Sequence, residues 1–148
     1  MSYISNLVHF VWSTDKREPL IRKSWQDDMY AYIGGILSNK KAKMLAAGGL
    51  ADHVHVLASL PAALSLSEAA GAMKANSSRW IHENAPQCRS FEWQEGYAAF
   101  TVSKSVEPSV AAYIQNQGET HRQRQFKEEL VELLEKHGIK YEERYLWI

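Results

Sequence analysis

The sequence predicts one α+β domain built on an antiparallel sheet, and three observations predict that class. Short segments rich in β-branched and aromatic residues are typical of strands. Longer stretches between them repeat their apolar residues at helical spacing. The chain of 148 residues is 45% hydrophobic and holds one cysteine, so a single core without disulfides is expected. We therefore treat residues 1–148 as one domain.

Composition argues against several classes of protein. The formal charge is zero, with 17 basic and 17 acidic residues, which disfavours a protein that coats duplex DNA through a large positive field. No segment approaches about 18 consecutive apolar residues, and the first residues lack a signal-peptide pattern. The lone Cys88 favours a reducing compartment. These features predict a cytoplasmic protein with no membrane association.

The first half of the chain predicts a strand, a helix and a hairpin. Residues 3–12 (YISNLVHFVW) carry apolar side chains on both faces, as a buried inner strand does. A helix over residues 24–39 follows a serine–acid start signal. Its inward stripe consists of Trp25, Met29, Tyr32, Ile33, Ile36 and Leu37. Strands over 42–47 and 53–59 flank Gly48-Gly49, so these glycines predict the hairpin turn.

The second half predicts a helix, a strand and two more helices. Residues 65–84 begin with the capping-box pattern SLSE and continue at helical spacing. Residues 96–102 (GYAAFTV) form the fourth strand, and a third helix covers 105–117. The fourth helix, 120–137, has an apolar seam of Phe126, Leu130, Leu133 and Leu134. The apolar tail 139–148 is expected to dock on this subunit or on a partner.

This order of elements is the split βαβ pattern of ferredoxin-like folds. In that topology the first and third strands are central, and the first two helices cover one face of the antiparallel sheet. Alternate side chains of the third strand point to the opposite face, where a third helix could bring other groups to them.

His53 and His55 are separated by one residue on the third predicted strand, so both imidazoles project from one face and can share a metal ion. Two structural histidines would have the same spacing, so this pattern is weak alone.

Tyr113 and Gln117 are four residues apart on the third helix and face one direction. Two imidazoles with the Gln117 amide oxygen suit Mg²⁺ or Mn²⁺. His121 is an alternative third ligand in a zinc-type site.

Tyr113 has two interpretations. Its phenol can attack a metal-polarised phosphate and form a covalent phosphotyrosyl intermediate. The alternative is an ordinary half-buried aromatic residue on an amphipathic helix, which is the commoner role of a tyrosine. The helical spacing alone leaves both interpretations open.

Four segments together resemble one family. DHVHVLASLP, GYAAFTVS, YIQNQ and HGIKYEERYLW are similar, in the same order, to segments of the single-tyrosine HUH transposases. These include insertion-sequence 200/605-type enzymes and their relatives associated with repetitive extragenic palindromes. The resemblance covers nearly the whole chain. It implies a ferredoxin-like domain with an added catalytic helix and a C-terminal helix.

The resemblance also implies an activity and a set of roles. The activity is metal-dependent cleavage and strand transfer of single-stranded DNA beside hairpins. His53 and His55 become metal ligands, Gln117 the third ligand, and Tyr113 the nucleophile that takes a 5′-phosphate. Many members are homodimers in which the tyrosine helix of one subunit completes the site of the other.

Two other functions remain open from sequence. A non-catalytic module that binds single-stranded nucleic acid is one, although the first and fourth strands lack its basic–aromatic signature. A zinc-dependent hydrolase using His53, His55 and His121 is the other. Basic residues expected to contact the DNA backbone are Lys74, Arg79, Arg122, Arg124 and Lys127.

Overall fold

A computed structural model describes residues 1–146, apart from the side chains of Pro86, Arg122 and Gln123. The strands are β1 (Leu7–Ser13), β2 (Lys43–Leu50), β3 (His53–Ser59) and β4 (Ala98–Val102). The helices are α1 (Lys23–Asn39), α2 (Leu66–Asn84), α3 (Glu107–Gln115), α4 (Gln117–Gln123) and α5 (Phe126–Lys136). Within the described part of the chain, no helix is both long and apolar enough to cross a membrane.

The four strands form one antiparallel sheet in the order β2-β3-β1-β4. The two inner strands, β1 and β3, are therefore the ones that the sequence predicts to be central. Their register places Val11 opposite His55 and Phe10 opposite Val56. The ferredoxin-like α+β prediction is confirmed.

The two faces of the sheet carry different side chains. On one face, β1 and β3 contribute Phe10, Trp12, Val54 and Val56 to a core closed by α1 and α2. On the other face, Val11 and Phe100 pack against Phe126, Leu130 and Leu134 of α5. Leu146 joins this second cluster, so the tail docks on its own subunit as far as it is described. Trp147 and Ile148 lie outside the described residues.

The hairpin turn lies at Ala51–Asp52 and not at Gly48-Gly49, because β2 continues through both glycines. Gly48 serves a different purpose. A Cβ at that position would lie 2.1 Å from the backbone oxygen of Ile114 in α3. The glycine therefore allows α3 to pack directly on β2, a requirement that sequence pattern does not distinguish from a turn.

The predicted fourth helix is divided into α4 and α5. Arg124 is extended, with φ −154° and ψ 155°, and Gln125 is also extended before α5 begins. Neither glycine nor proline marks this break, so helical periodicity did not reveal it. The change of direction brings the first turns of α5 against the sheet. The first strand also begins later than predicted, at Leu7, and Tyr3 is 91% exposed.

Candidate active site

His53 and His55 lie on β3 and point away from the core that α1 and α2 cover. Both side chains are fully buried. Their ring centroids are 5.1 Å apart, so the alternation of the strand brings the two imidazoles together as the sequence predicts.

Each imidazole has a polar partner at its Nδ1 atom. Nδ1 of His53 lies 2.7 Å from Oδ1 of Asp52, and Nδ1 of His55 lies 2.8 Å from Nε2 of His9. Burial opposes ionisation of Asp52, but the hydrogen bond with His53 and the charges of His53 and His121 together outweigh burial and lower the carboxyl pKa. Partners of this kind fix ring orientation and leave Nε2 as the atom that can bind a cation.

Glu129 of α5 is the buried carboxylate at the centre of the site, and it is fully buried. Oε1 lies 3.1 Å from Nε2 of His55 and 3.2 Å from Nε2 of His121. Oε2 accepts hydrogen bonds from Nε2 of Gln117, at 3.0 Å, and from the Tyr113 hydroxyl. One carboxylate therefore joins a strand, two helices and the predicted nucleophile.

The surroundings shift the pKa values of Glu129 and Tyr113 in opposite directions. Burial disfavours the charge on Glu129, but hydrogen bonds with His121 and His55 outweigh it and hold the pKa far below its usual range. The Tyr113 pKa is raised, first by burial and then by the charge of Glu129. The carboxylate is thus charged and the phenol neutral in this arrangement.

Tyr113 and Gln117 both reach the histidines, although they lie on two successive helices. The Tyr113 ring meets the His55 ring edge-on, with centroids 5.7 Å apart. Oε1 of Gln117 lies 2.9 Å from Nε2 of His53 and 3.1 Å from Nε2 of His121. α3 ends at Gln115 and α4 starts at Gln117, but both side chains still contact the same carboxylate of Glu129.

The donor set fits a divalent cation. One potential ligand atom from each of His53, His55 and Glu129 lies within 4.8 Å of the other two. The amide oxygen of Gln117 is beside them. Imidazole nitrogens combined with carboxylate and amide oxygens are ligands suited to several divalent ions.

The predicted DNA-contacting residues are not gathered at this site. Lys74 and Arg79 lie on α2, which covers the other face of the sheet. Nζ of Lys74 donates to the carbonyl oxygens of Gln94 and Gly96 at 2.7 and 2.6 Å, and Arg79 donates to Asn76.

The other three predicted DNA contacts follow the tyrosine helix. Arg124 lies near the site and pairs with Glu132. Lys127 is half-buried in the first turn of α5. The Arg122 side chain lies outside the described residues.

Sequence reasoning missed Glu129 and His9. Glu129 lies three residues after Phe126 on the apolar seam of α5, so a lone acid on that stripe was the available signal. His9 is a lone ionisable residue inside an apolar strand. It is 3% exposed, and burial lowers its pKa, with a further contribution from His55.

The geometry agrees with a match to a known family. The model described as "Transposase IS200 like" matches residues 2–117. This chain belongs to the IS200-like transposase family. The match includes both histidines of β3, Tyr113 and Gln117, whereas Glu129 and His121 lie beyond it.

Solved structures share the fold of this transposase. A candidate transposase from Deinococcus radiodurans R1 is 21% identical, with a TM-score of 0.65 over 79% of this chain and 95% of that chain. A REP-associated tyrosine transposase bound to a REP hairpin is 16% identical, with a TM-score of 0.56 over 77% of this chain and 67% of that chain. No curated protein matches the sequence.

Proposed function

We propose that this transposase cleaves and rejoins single-stranded DNA beside hairpins through a covalent 5′-phosphotyrosine at Tyr113. One observation carries the proposal: the Tyr113 hydroxyl donates to the carboxylate of Glu129, which also contacts the imidazole of His55. A nucleophile, a proton acceptor and a set of metal-binding atoms therefore lie together in one chain. The hairpin bound to the REP-associated relative supports the choice of substrate.

His53, His55 and Gln117 are the proposed ligands of a divalent ion, Mg²⁺ or Mn²⁺. The carboxylate of Glu129 is close enough to add a further oxygen. When bound, such an ion polarises a phosphate and offsets the negative charge that develops during transfer. Asp52 and His9 act on this set indirectly, because they orient the two imidazoles.

In the cleavage step the Tyr113 oxygen attacks phosphorus. The tyrosine–phosphorus bond forms as the bond from phosphorus to the 3′ oxygen breaks, which frees a 3′-hydroxyl. Glu129 relays the phenolic proton to the departing 3′ oxygen, since it already accepts the hydrogen bond of the phenol and its lowered pKa means that it does not keep the proton. Rejoining is the reverse attack by a 3′-hydroxyl, with the proton returned to the phenol, so no external energy source is needed.

A homodimer is expected from the family resemblance and remains a prediction that light scattering would test. In this structure the tyrosine helix lies over the sheet of its own chain. A second subunit is therefore not needed to bring the phenol to the imidazoles.

The proposed contacts to the DNA backbone lie on both faces of the sheet. Arg124 and Lys127, which follow the tyrosine helix, are the ones nearest the site. Lys74 and Arg79 would contact DNA that passes over the other face.

The decisive experiment incubates the protein with a 3′-labelled hairpin oligonucleotide that carries a single-stranded flank, in the presence of Mn²⁺. Wild-type protein should retain the label as an adduct that survives denaturation. Tyr113→Phe should lose the adduct completely while still binding the DNA, because only the attacking oxygen is removed.

A matched control for that substitution exists outside the site. The Tyr141 hydroxyl also donates to a glutamate, Glu135, at 2.9 Å, but that pair is on the surface. Tyr141→Phe should form the adduct as wild type does. Label that remains attached to Tyr113→Phe would exclude Tyr113 as the nucleophile.

A zinc-dependent hydrolase is the second candidate, and one observation favours it. The His121 ring lies 4.7 Å from the His53 ring, so three imidazoles surround Glu129. That function predicts cleavage supported by Zn²⁺ without any protein–DNA adduct. A non-catalytic binding module predicts binding that neither a chelator nor loss of His53 changes.

A further inference from the structure

A cavity of about 710 Å³ adjoins the candidate active site. It lies between β4, α3 and α5, and its wall includes Tyr113 and Glu129. These two residues belong to both the cavity and the cluster around the histidines. Any group held in the cavity therefore lies next to the proposed nucleophile. Pockets of roughly 300–1,000 Å³ are of the size that encloses small ligands.

His137 forms an aromatic platform in the wall of this cavity. Its ring stacks on Phe100, with centroids 4.5 Å apart and planes at 26°. Phe100 is 2% exposed, so it supports the imidazole from beneath. Nδ1 of His137 donates to the carbonyl oxygen of Leu133 at 2.8 Å, which fixes the ring. The side chain remains exposed, as a platform for a nucleobase must be.

Polar and charged groups complete the wall in a way that suits a nucleotide. Ser103 and Ser109 line the cavity, and Lys136 and Arg124 add positive charge. Arg124 also pairs with Glu132, so Lys136 is the cation better placed to meet a phosphate. Hydroxyl and ammonium donors are the usual partners of sugar and phosphate oxygens.

We propose that this cavity binds the nucleotide next to the phosphate that Tyr113 attacks, with its base stacked on His137. This inference rests on the proposed function, because it takes Tyr113 as the nucleophile. The nucleotides on either side of a scissile phosphate lie directly beside it, and Tyr113 lines both this cavity and the site. The platform thus positions the substrate backbone for attack.

The test replaces each base near the mapped cleavage position, in turn, with 2-aminopurine or with an abasic nucleotide. Binding is measured on Tyr113→Phe protein, which leaves the DNA uncut. Stacking should quench the 2-aminopurine fluorescence at one position adjoining the cut. An abasic nucleotide at that position should weaken binding about 5- to 150-fold, the range expected for loss of one base stacked on an aromatic ring.

His137 is then varied in protein that retains Tyr113. His137→Ala should raise KM for the oligonucleotide about tenfold, as expected when one stacked base is lost, with adduct still formed at saturating DNA. His137→Phe should restore KM because it keeps an aromatic face. His82→Ala is the matched control: His82 is another exposed histidine bonded to a backbone carbonyl, that of Phe91 at 2.8 Å, and its loss should leave KM unchanged.

The outcomes separate this inference from the function on which it rests. If wild-type protein forms no adduct, both proposals fail. If the adduct forms normally but no position shows quenching, or His137→Ala has an unchanged KM, only the nucleotide cavity is refuted. An equal rise in KM for His137→Phe would also refute it, because that result points to packing of α5 and not to stacking.

Discussion

The two faces of the sheet use the same strands for different purposes. Along β3, Val54, Val56 and Ala58 enter the core under α1 and α2, whereas His53 and His55 face the later helices. The first face is filled by close apolar packing. The second carries apolar side chains too, but beside them lie polar side chains that are just as deeply buried. Strand alternation thus allows one element to supply both stability and chemistry.

Hydrogen bonding differs between the faces in an instructive way. The indole nitrogens of Trp12 and Trp25, both in the apolar core, are buried without a partner. In the described part of the site, the buried polar atoms of the histidines, Gln117 and Glu129 all have partners. Apolar packing tolerates an occasional unpaired donor, but a charged carboxylate in the interior requires full pairing.

Among the changes that test the difference between the two faces, removal of the charge on Glu129 should have the largest effect, which is a slower rate of adduct formation. Glu129→Gln keeps the shape of the side chain but cannot accept the phenolic proton in the same way, so adduct formation should slow by about 10²- to 10⁴-fold. Single-turnover kinetics would measure this rate. Glu128→Gln, at an exposed glutamate on the same helix, should change the rate little. Equal rates in both variants would show that the buried carboxylate takes no part in the chemistry.

Truncation of Phe10 tests the apolar face. Phe10 is fully buried under α1 and α2, and Phe10→Ala should cost about 3–5 kcal/mol in the free energy of unfolding, measured by urea titration. The adduct formed per folded molecule should stay at the wild-type level. A parallel loss of adduct in the folded fraction would mean that the faces are coupled.

Metal addition tests the polar face. If the cluster binds Mn²⁺ only when folded, Mn²⁺ at one hundred times its Kd should stabilise the protein by about 2.7 kcal/mol. Thermal unfolding with and without a chelator measures this shift. His53→Ala should abolish it, whereas Phe10→Ala should retain it at a lower starting stability. A shift that survives in His53→Ala would place the ion elsewhere.

Gly48→Ala should disturb the packing of α3 on β2. The added methyl would meet the backbone oxygen of Ile114, and overpacking of this kind costs about 1–3 kcal/mol. Because α3 carries Tyr113, adduct formation should fall as well. Gly35→Ala is the control on the other side of the molecule, where no atom lies within 4 Å of the added group. It should stabilise α1 slightly and leave the adduct unchanged.

The sheet and most of the site followed from local sequence rules. Alternation placed His53 and His55 on one face, and the four-residue spacing placed Tyr113 with Gln117. The family resemblance gave them roles. These features depend on residues close together in the chain or on a recurring motif, which a single sequence displays directly.

What the sequence could not predict depends on long-range geometry. The contact of Glu129 with His55 joins residues 74 positions apart and requires the break at Arg124–Gln125, which no helix breaker announces. His9 looks like one more residue of a buried strand until the register places it beside His55. Likewise, Gly48 has the composition of a turn, and only the approach of α3 explains its place within β2.

The path of the chain after β4 has a consequence for mixtures of intact and defective copies of the protein. Since α3 folds back over the sheet from which the imidazoles project, every copy of the polypeptide carries the whole set of proposed catalytic groups. Under the proposed function, a copy that lacks its tyrosine would not be rescued by a copy that lacks its histidines. Under this geometry the dose of active protein equals the number of intact chains.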